Sequence, residues 1–215
     1  MQASTCAGAS EVNTRAKPSG KAGYAWLKPG VLVGALVPLG VLGQSIVRGT
    51  LGADPIAIVL NKLGLLALIL LVASLAATPI RIVFAVNWPL RIRKLLGLLA
   101  FFYASLHFLV YVGVDQGLAF SAIARDVLDR KFITVGFAAF CLLVPLAVTS
   151  TSKMLKRLGA KRWGRLHSLV YLASTLACVH FVWRVKKDLS QPLMYAGVLV
   201  LLFAVRAWKR VRQAA

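Results

Sequence analysis

Long apolar stretches alternate with short polar, charged or Pro-bearing connections along this chain. Six stretches stand out, at roughly 30–47, 56–78, 95–114, 132–150, 166–183 and 192–208. Each approaches the length that a helix rising 1.5 Å per residue needs to cross about 30 Å of hydrocarbon. The stretches lack the strict apolar/polar alternation of membrane β-strands, which run about ten residues each. The pattern therefore predicts an all-α fold: a polytopic helix bundle with six transmembrane helices. "ATPIR" (77–81) closes the second span and Pro192 opens the sixth.

Composition supports the same class, since 59% of the 215 residues are hydrophobic and the mean hydropathy is +0.78. Residues 1–29 are small, polar and basic, without an apolar core and cleavage site of the signal-peptide kind. They are expected to form a disordered cytoplasmic tail. Residues 30–208 form the transmembrane domain, and 209–215 a short basic cytoplasmic tail.

The net charge of +20 would suggest nucleic acid on a soluble protein. Its distribution argues for membrane orientation instead, with no nucleic-acid partner. The tail, the loops after spans two and four, and the C-terminus hold 18 basic residues and one acid, Glu11. The alternate loops hold eight basic residues and five acids: Asp54, Asp115, Asp126, Asp129 and Asp188. The positive-inside rule then puts both termini in the cytoplasm. Lys62, just inside the second span, reads as snorkelling to the outer surface.

Several chemistries find no support. No GxGxxG or Walker-type loop is present, and no C-x-x-C-H haem-attachment motif. Cys6, Cys141 and Cys178 are not placed for an external disulfide. Gly30-x-x-x-Gly34 matches a helix-packing pattern, but in a chain with 17 glycines the match carries little weight.

The candidate chemistry lies in three histidines. Ionisable groups inside a membrane are costly and mark function. With both spans starting on the cytoplasmic side, His107 lies about 18 Å along the third span and His180 about 21 Å along the fifth. Two imidazoles at similar depth on separate helices can hold one haem iron from both faces. Such a centre carries electrons and leaves no position for substrate. His167 lies about 20 Å below His180, near the cytoplasmic surface. The matching place on the third span holds Arg93 or Lys94 rather than a second histidine. Thirteen residues also turn a straight helix by about 220°, so His167 and His180 share a face only if the helix distorts. Arg162, Trp163 and Arg165 beside His167 offer charge and an aromatic face to an inner cofactor. A transporter relaying protons through these histidines is the reading from another class, and a haem spectrum would separate the two.

"LLGLLAFFYASLHFLVYV" (95–112), "DRKFITVGFAAFCLLVPLAVTS" (129–150) and "LGAKRWGRLHSLVYLASTLACVHFVWRVKK" (158–187) resemble the MsrQ (YedZ) family of the ferric-reductase-like transmembrane group. The resemblance covers about 50–187, and "ATPIR" fits it. It implies the haem-binding membrane subunit of a protein-methionine-sulfoxide reductase, in a bacterial inner membrane. It implies haem b and FMN as cofactors, and electrons passed from the quinone pool to MsrP, a periplasmic molybdenum enzyme. The family's three histidines fall on His107, His167 and His180, with His107 and His180 as the axial iron ligands. It makes the chain an electron-transfer subunit rather than the catalytic one. A direct ferric- or cupric-reductase-like activity is the alternative within the same group.

Overall fold

A computed structural model describes residues 24–214; the first 23 residues of the expected tail lie outside the described part. The described residues form helices and no strand: α1 (Leu27–Val47), α2 (Pro55–Phe84), α3 (Trp88–Val110), α4 (Phe120–Asp129), α5 (Lys131–Val148), α6 (Ser152–His167), α7 (Leu169–Arg184) and α8 (Ser190–Ala214). A π-helical turn, Tyr111–Asp115, extends α3.

Six spans in this set are long and apolar enough to cross a membrane, as the pattern predicts. Several run beyond their apolar stretch. Span two continues past Pro79 to Phe84, span three begins at Trp88, and α8 runs through most of the basic C-terminus. Charged residues extend a helix into the interface once its apolar part is formed, and hydropathy alone does not register that extension.

The helix starts follow local chemistry. Asp54 caps α2 by accepting the Ala57 N–H at 3.0 Å, with Pro55 in the first turn where no amide partner is needed. Thr151 caps α6 by accepting the Met154 N–H at 3.3 Å. Asp188 accepts the Ser190 N–H at 2.9 Å at the start of α8. The Ser190 side chain and, after it, this backbone N–H hold the Asp188 carboxyl below the usual carboxylate range.

Two elements depart from the expected pattern. The connection 115–131 contains α4, a strongly amphipathic helix rather than a plain loop. The fifth span is preceded by α6, and the two join at Ser168, where the Tyr171 N–H bonds back only three residues to the Ser168 carbonyl. Within α6, Gly159 takes φ +75° and ψ 153°, a conformation open essentially to glycine alone, and it kinks the helix.

Packing alternates helix direction. α2 and α3 pair most extensively, followed by α5 with α7, while α8 lies against α2 and α7. The core between α2, α7 and α8 gathers Leu68, Leu75, Cys178, Leu199 and Leu202. Tyr103 is fully buried between α1, α2 and α3, and its hydroxyl donates to the Ala35 carbonyl. Gly30 and Gly34 do not pack helix against helix: a Cβ at Gly34 would meet nothing within 4 Å, and one at Gly30 only Trp26. Exposed Leu, Val and Phe side chains cover the outside of the bundle, as bilayer contact requires.

This alternation sorts charge between the two ends of the bundle. Asp54, Asp115, Asp126, Asp129 and Asp188 all fall at one end, here the acidic end. The α2–α3 connection, α6 and the end of α8 fall at the other, and no acid accompanies them among the described residues.

Candidate haem site

The site sits at the acidic end, where α2 and α5 begin and α3 and α7 finish. His107 is near the end of α3, and its Nδ1 lies 2.9 Å from the Leu60 carbonyl on α2. His180 is near the end of α7, and its Nδ1 lies 2.6 Å from the Phe132 carbonyl on α5. A carbonyl only accepts, so both Nδ1 atoms carry the proton and donate it. Both Nε2 lone pairs are thereby left free for a ligand.

Each carbonyl already accepts an amide of its own helix, and a glycine lies four residues on. A Cβ on Gly64 would stand 3.2 Å from the His107 Nδ1, and a Cβ on Gly136 only 2.6 Å from the His180 Nδ1. A side chain at Gly136 would force the His180 ring to move, and one at Gly64 would crowd the His107 ring. The two halves repeat one arrangement, with the histidine 47 residues after its carbonyl in one and 48 in the other.

The two ring centres lie 6.3 Å apart with the planes at 80°, a T-shaped arrangement. An imidazole nitrogen sits about 2.0–2.1 Å from a bound transition metal and roughly 1.1 Å from its own ring centre, so rings on opposite sides of one metal have centres about 6.3 Å apart. The observed separation therefore fits one metal ion between them.

Around the rings lies a mainly apolar cavity of about 350 Å³ between α2, α3, α5 and α7. Small residues such as Ala67, Ala104, Ala139 and Ala177 on its walls leave room for a flat group. Stacked aromatics, Phe108 on Phe140 at 4.8 Å and Phe101 on Phe140 at 5.8 Å, stiffen one side.

The cavity mouth is polar. Asp54, Asp115, Arg130 and Arg184 reach it. Arg184, one turn beyond His180, is within electrostatic reach of both histidines and of Asp54. α4 lies over this mouth. Its Asp126 pairs with Arg130 at 3.3 Å and accepts from Tyr111 at 3.2 Å and Gln116 at 3.3 Å. Thr134 of α5 donates to the Val127 carbonyl.

His167 is elsewhere, at the end of α6 near the basic end. It stacks on Trp163 with ring centres 3.8 Å apart. The Trp163 indole N–H donates to the Thr149 carbonyl at 2.9 Å. Thr149 gives its only hydroxyl proton to the Pro145 carbonyl at 2.6 Å, so it accepts from His167 Nε2 at 3.1 Å. The His167 tautomer is thus opposite to the other two. The helix breaks at Ser168, between His167 and His180. Arg93 lies within electrostatic reach of His167, whereas Arg162 and Arg165 are exposed.

The geometry thus brings two of the three sequence-predicted histidines together and leaves the third apart. Sequence reasoning missed Gly64, Gly136, the carbonyls of Leu60 and Phe132, and the α4 cover. A glycine at matching offset before each of two intramembrane histidines was the available signal.

Comparison with known proteins places the chain in a family. The family described as "Ferric reductase like transmembrane component" matches residues 63–178, from one residue before Gly64 to just short of His180. A Rhodospirillum rubrum protein is 52% identical over 85% of this chain and 88% of its own length. A Deinococcus radiodurans protein is 49% identical over 85% and 90%, and one from Ralstonia nicotianae 45% over 81% of each. All three are named protein-methionine-sulfoxide reductase haem-binding subunit MsrQ. With identity of this order across nearly the whole transmembrane region, the chain belongs to the MsrQ family within the ferric-reductase-like membrane proteins.

Proposed function

We propose that this chain is the haem-binding electron-transfer subunit of a methionine sulfoxide reductase system. It relays electrons from the quinone pool to a periplasmic molybdenum-dependent partner of the MsrP kind. The observation that carries the reading is the His107–His180 ring separation of 6.3 Å, with both Nδ1 atoms committed to carbonyls. No cluster of three or more metal-ligating side chains occurs among the described residues. A metal held here by two imidazoles needs a macrocycle to fill its other positions, and a b-type haem is that group.

Haem, when bound, supplies one-electron chemistry at a potential set by its ligands. The chain's own residues do the rest. His107 and His180 would hold the iron through their free Nε2 atoms and leave it no position for substrate. The Leu60 and Phe132 carbonyls orient the rings and raise their basicity. The apolar walls keep water from the macrocycle, and Arg130 and Arg184 offer cationic partners for its carboxylates at the mouth.

The wider reading has both termini in the cytoplasm, an inner-membrane location and the acidic end toward the periplasm. Charge asymmetry supports it. Positively and negatively charged groups at that end suit a protein docking surface. His167 with Trp163 is the proposed inner cofactor position, for FMN or a second haem.

The test is a redox spectrum of the purified chain with haem and flavin quantified. One low-spin b-type haem per His107–His180 pair is expected, reduced by a quinol analogue. Reoxidation should require both the periplasmic reductase and a methionine sulfoxide substrate. Equal reoxidation by a ferric chelate alone would favour a direct metalloreductase, and absence of any haem would remove the reading.

A further inference from the structure

A second cavity, of about 340 Å³, opens at the basic end between α2, α3, α7 and α8. Its walls carry Arg81, Arg93, Arg206, Lys209 and Arg210 together with the Tyr171 ring. No carboxylate accompanies them, because every described acid lies at the opposite end.

A basic rim alone is what any cytoplasmic helix end carries. Two observations go further. First, Arg206 is directed inward and fixed there. Its guanidinium donates to the Leu75 carbonyl at 2.5 Å and to the Tyr171 hydroxyl, and stands 5.2 Å from the Tyr171 ring centre. Its Nε is buried without a hydrogen-bond partner. Secondly, Arg93 and Arg210 lie within electrostatic reach of Arg206, so like charges converge on one concave space. A partly desolvated cation ringed by other cations is costly unless an anion completes it.

We infer that this cavity is a binding site for a phosphate group. Arginine forks match phosphate oxygens with paired hydrogen bonds, and lysine adds a mobile charge. Arg206 lies 16 residues into α8, about 24 Å along its axis from Ser190. That is just inside the basic-side edge of about 30 Å of hydrocarbon, and Lys209 and Arg210 of the same cavity lie at that edge, so the headgroup of an acidic phospholipid is the favoured source. A soluble phosphate ester entering from the same side presents the same chemistry. The inference does not depend on haem, since no residue of this cavity touches the histidine pair.

The test uses the full-length chain in detergent and native mass spectrometry. One arm adds phosphatidylglycerol against diacylglycerol; the other adds flavin mononucleotide against riboflavin. Each pair differs by its phosphate-bearing headgroup or its phosphate. The wild type should retain one phosphate-bearing molecule in preference to its phosphate-free control. The double variant Lys209→Gln with Arg210→Gln, both at the cavity rim, should weaken that retention at least tenfold. Arg206→Gln should abolish it, and the rim variant carries the test if Arg206→Gln does not fold. Loss in the lipid arm assigns a headgroup site, and loss in the flavin arm a soluble ligand. Equal retention by wild type and rim variant in both arms, or none by the wild type, would overturn the inference. The haem spectrum of the same samples reports separately on the histidine site.

Discussion

At the scale of single residues, the pair of histidines is held by what surrounds it as much as by its own position. His107→Ala and His180→Ala are each expected to abolish a six-coordinate low-spin haem spectrum, read on purified protein; retention in both variants would refute the pairing. The glycines give a sharper test. Gly136→Ala puts a methyl group 2.6 Å from the His180 Nδ1, against 3.2 Å for Gly64→Ala at His107. Disturbing the groups that orient a metal ligand commonly lowers metal affinity by roughly 10–100-fold. Haem retention should therefore fall by about that factor in Gly136→Ala and by less in Gly64→Ala. The reverse order would show that the rings do not sit as described. The histidines were legible in the sequence because polar residues in apolar runs are rare. Their carbonyl partners were not, because a backbone oxygen on another helix has no sequence signature. The glycines stayed hidden among the chain's 17 for the same reason: their meaning depends on a neighbour about 44 residues away.

At the scale of elements, hydropathy located all six spans but not their ends. The extensions of α2, α3 and α8 consist of charged and mixed residues that turn helical only because an apolar segment has already nucleated the helix. α4 escaped notice because a ten-residue amphipathic helix is too short and too polar to register as a span, and it packs against α5. Gly159 was equally silent, since nothing local distinguishes a kinked glycine from one in a straight helix. Gly159→Ala is expected to cost about 1–3 kcal/mol, because alanine is strained at positive φ with extended ψ. A lowered thermal midpoint in detergent would report it. An unchanged midpoint would mean that α6 can straighten without loss.

At the scale of the whole molecule, two similar halves, α2 with α3 and α5 with α7, each present one imidazole to the same space. α1 and α8 flank them. The segregation of every described acid to one end makes orientation a testable property. A periplasmic reporter fused after Gln116 is expected to be active and a cytoplasmic one silent; the opposite result would invert the bundle. The cover formed by α4 carries a further consequence, one of assembly order. Asp126 ties together Arg130, Tyr111 and Gln116, and Tyr111, Val127 and Arg130 line the cavity, so entry from this end would have to part these contacts. A group loaded from this end would enter before α4 closes or wait for it to lift, and would then be held shut from above. Limited trypsin digestion from the acidic side should cut at Arg125 and Arg130 much faster in chains produced without haem. Equal cleavage rates would mean that α4 closes independently of what lies beneath it, and that the cofactor enters sideways, between helices, from the lipid.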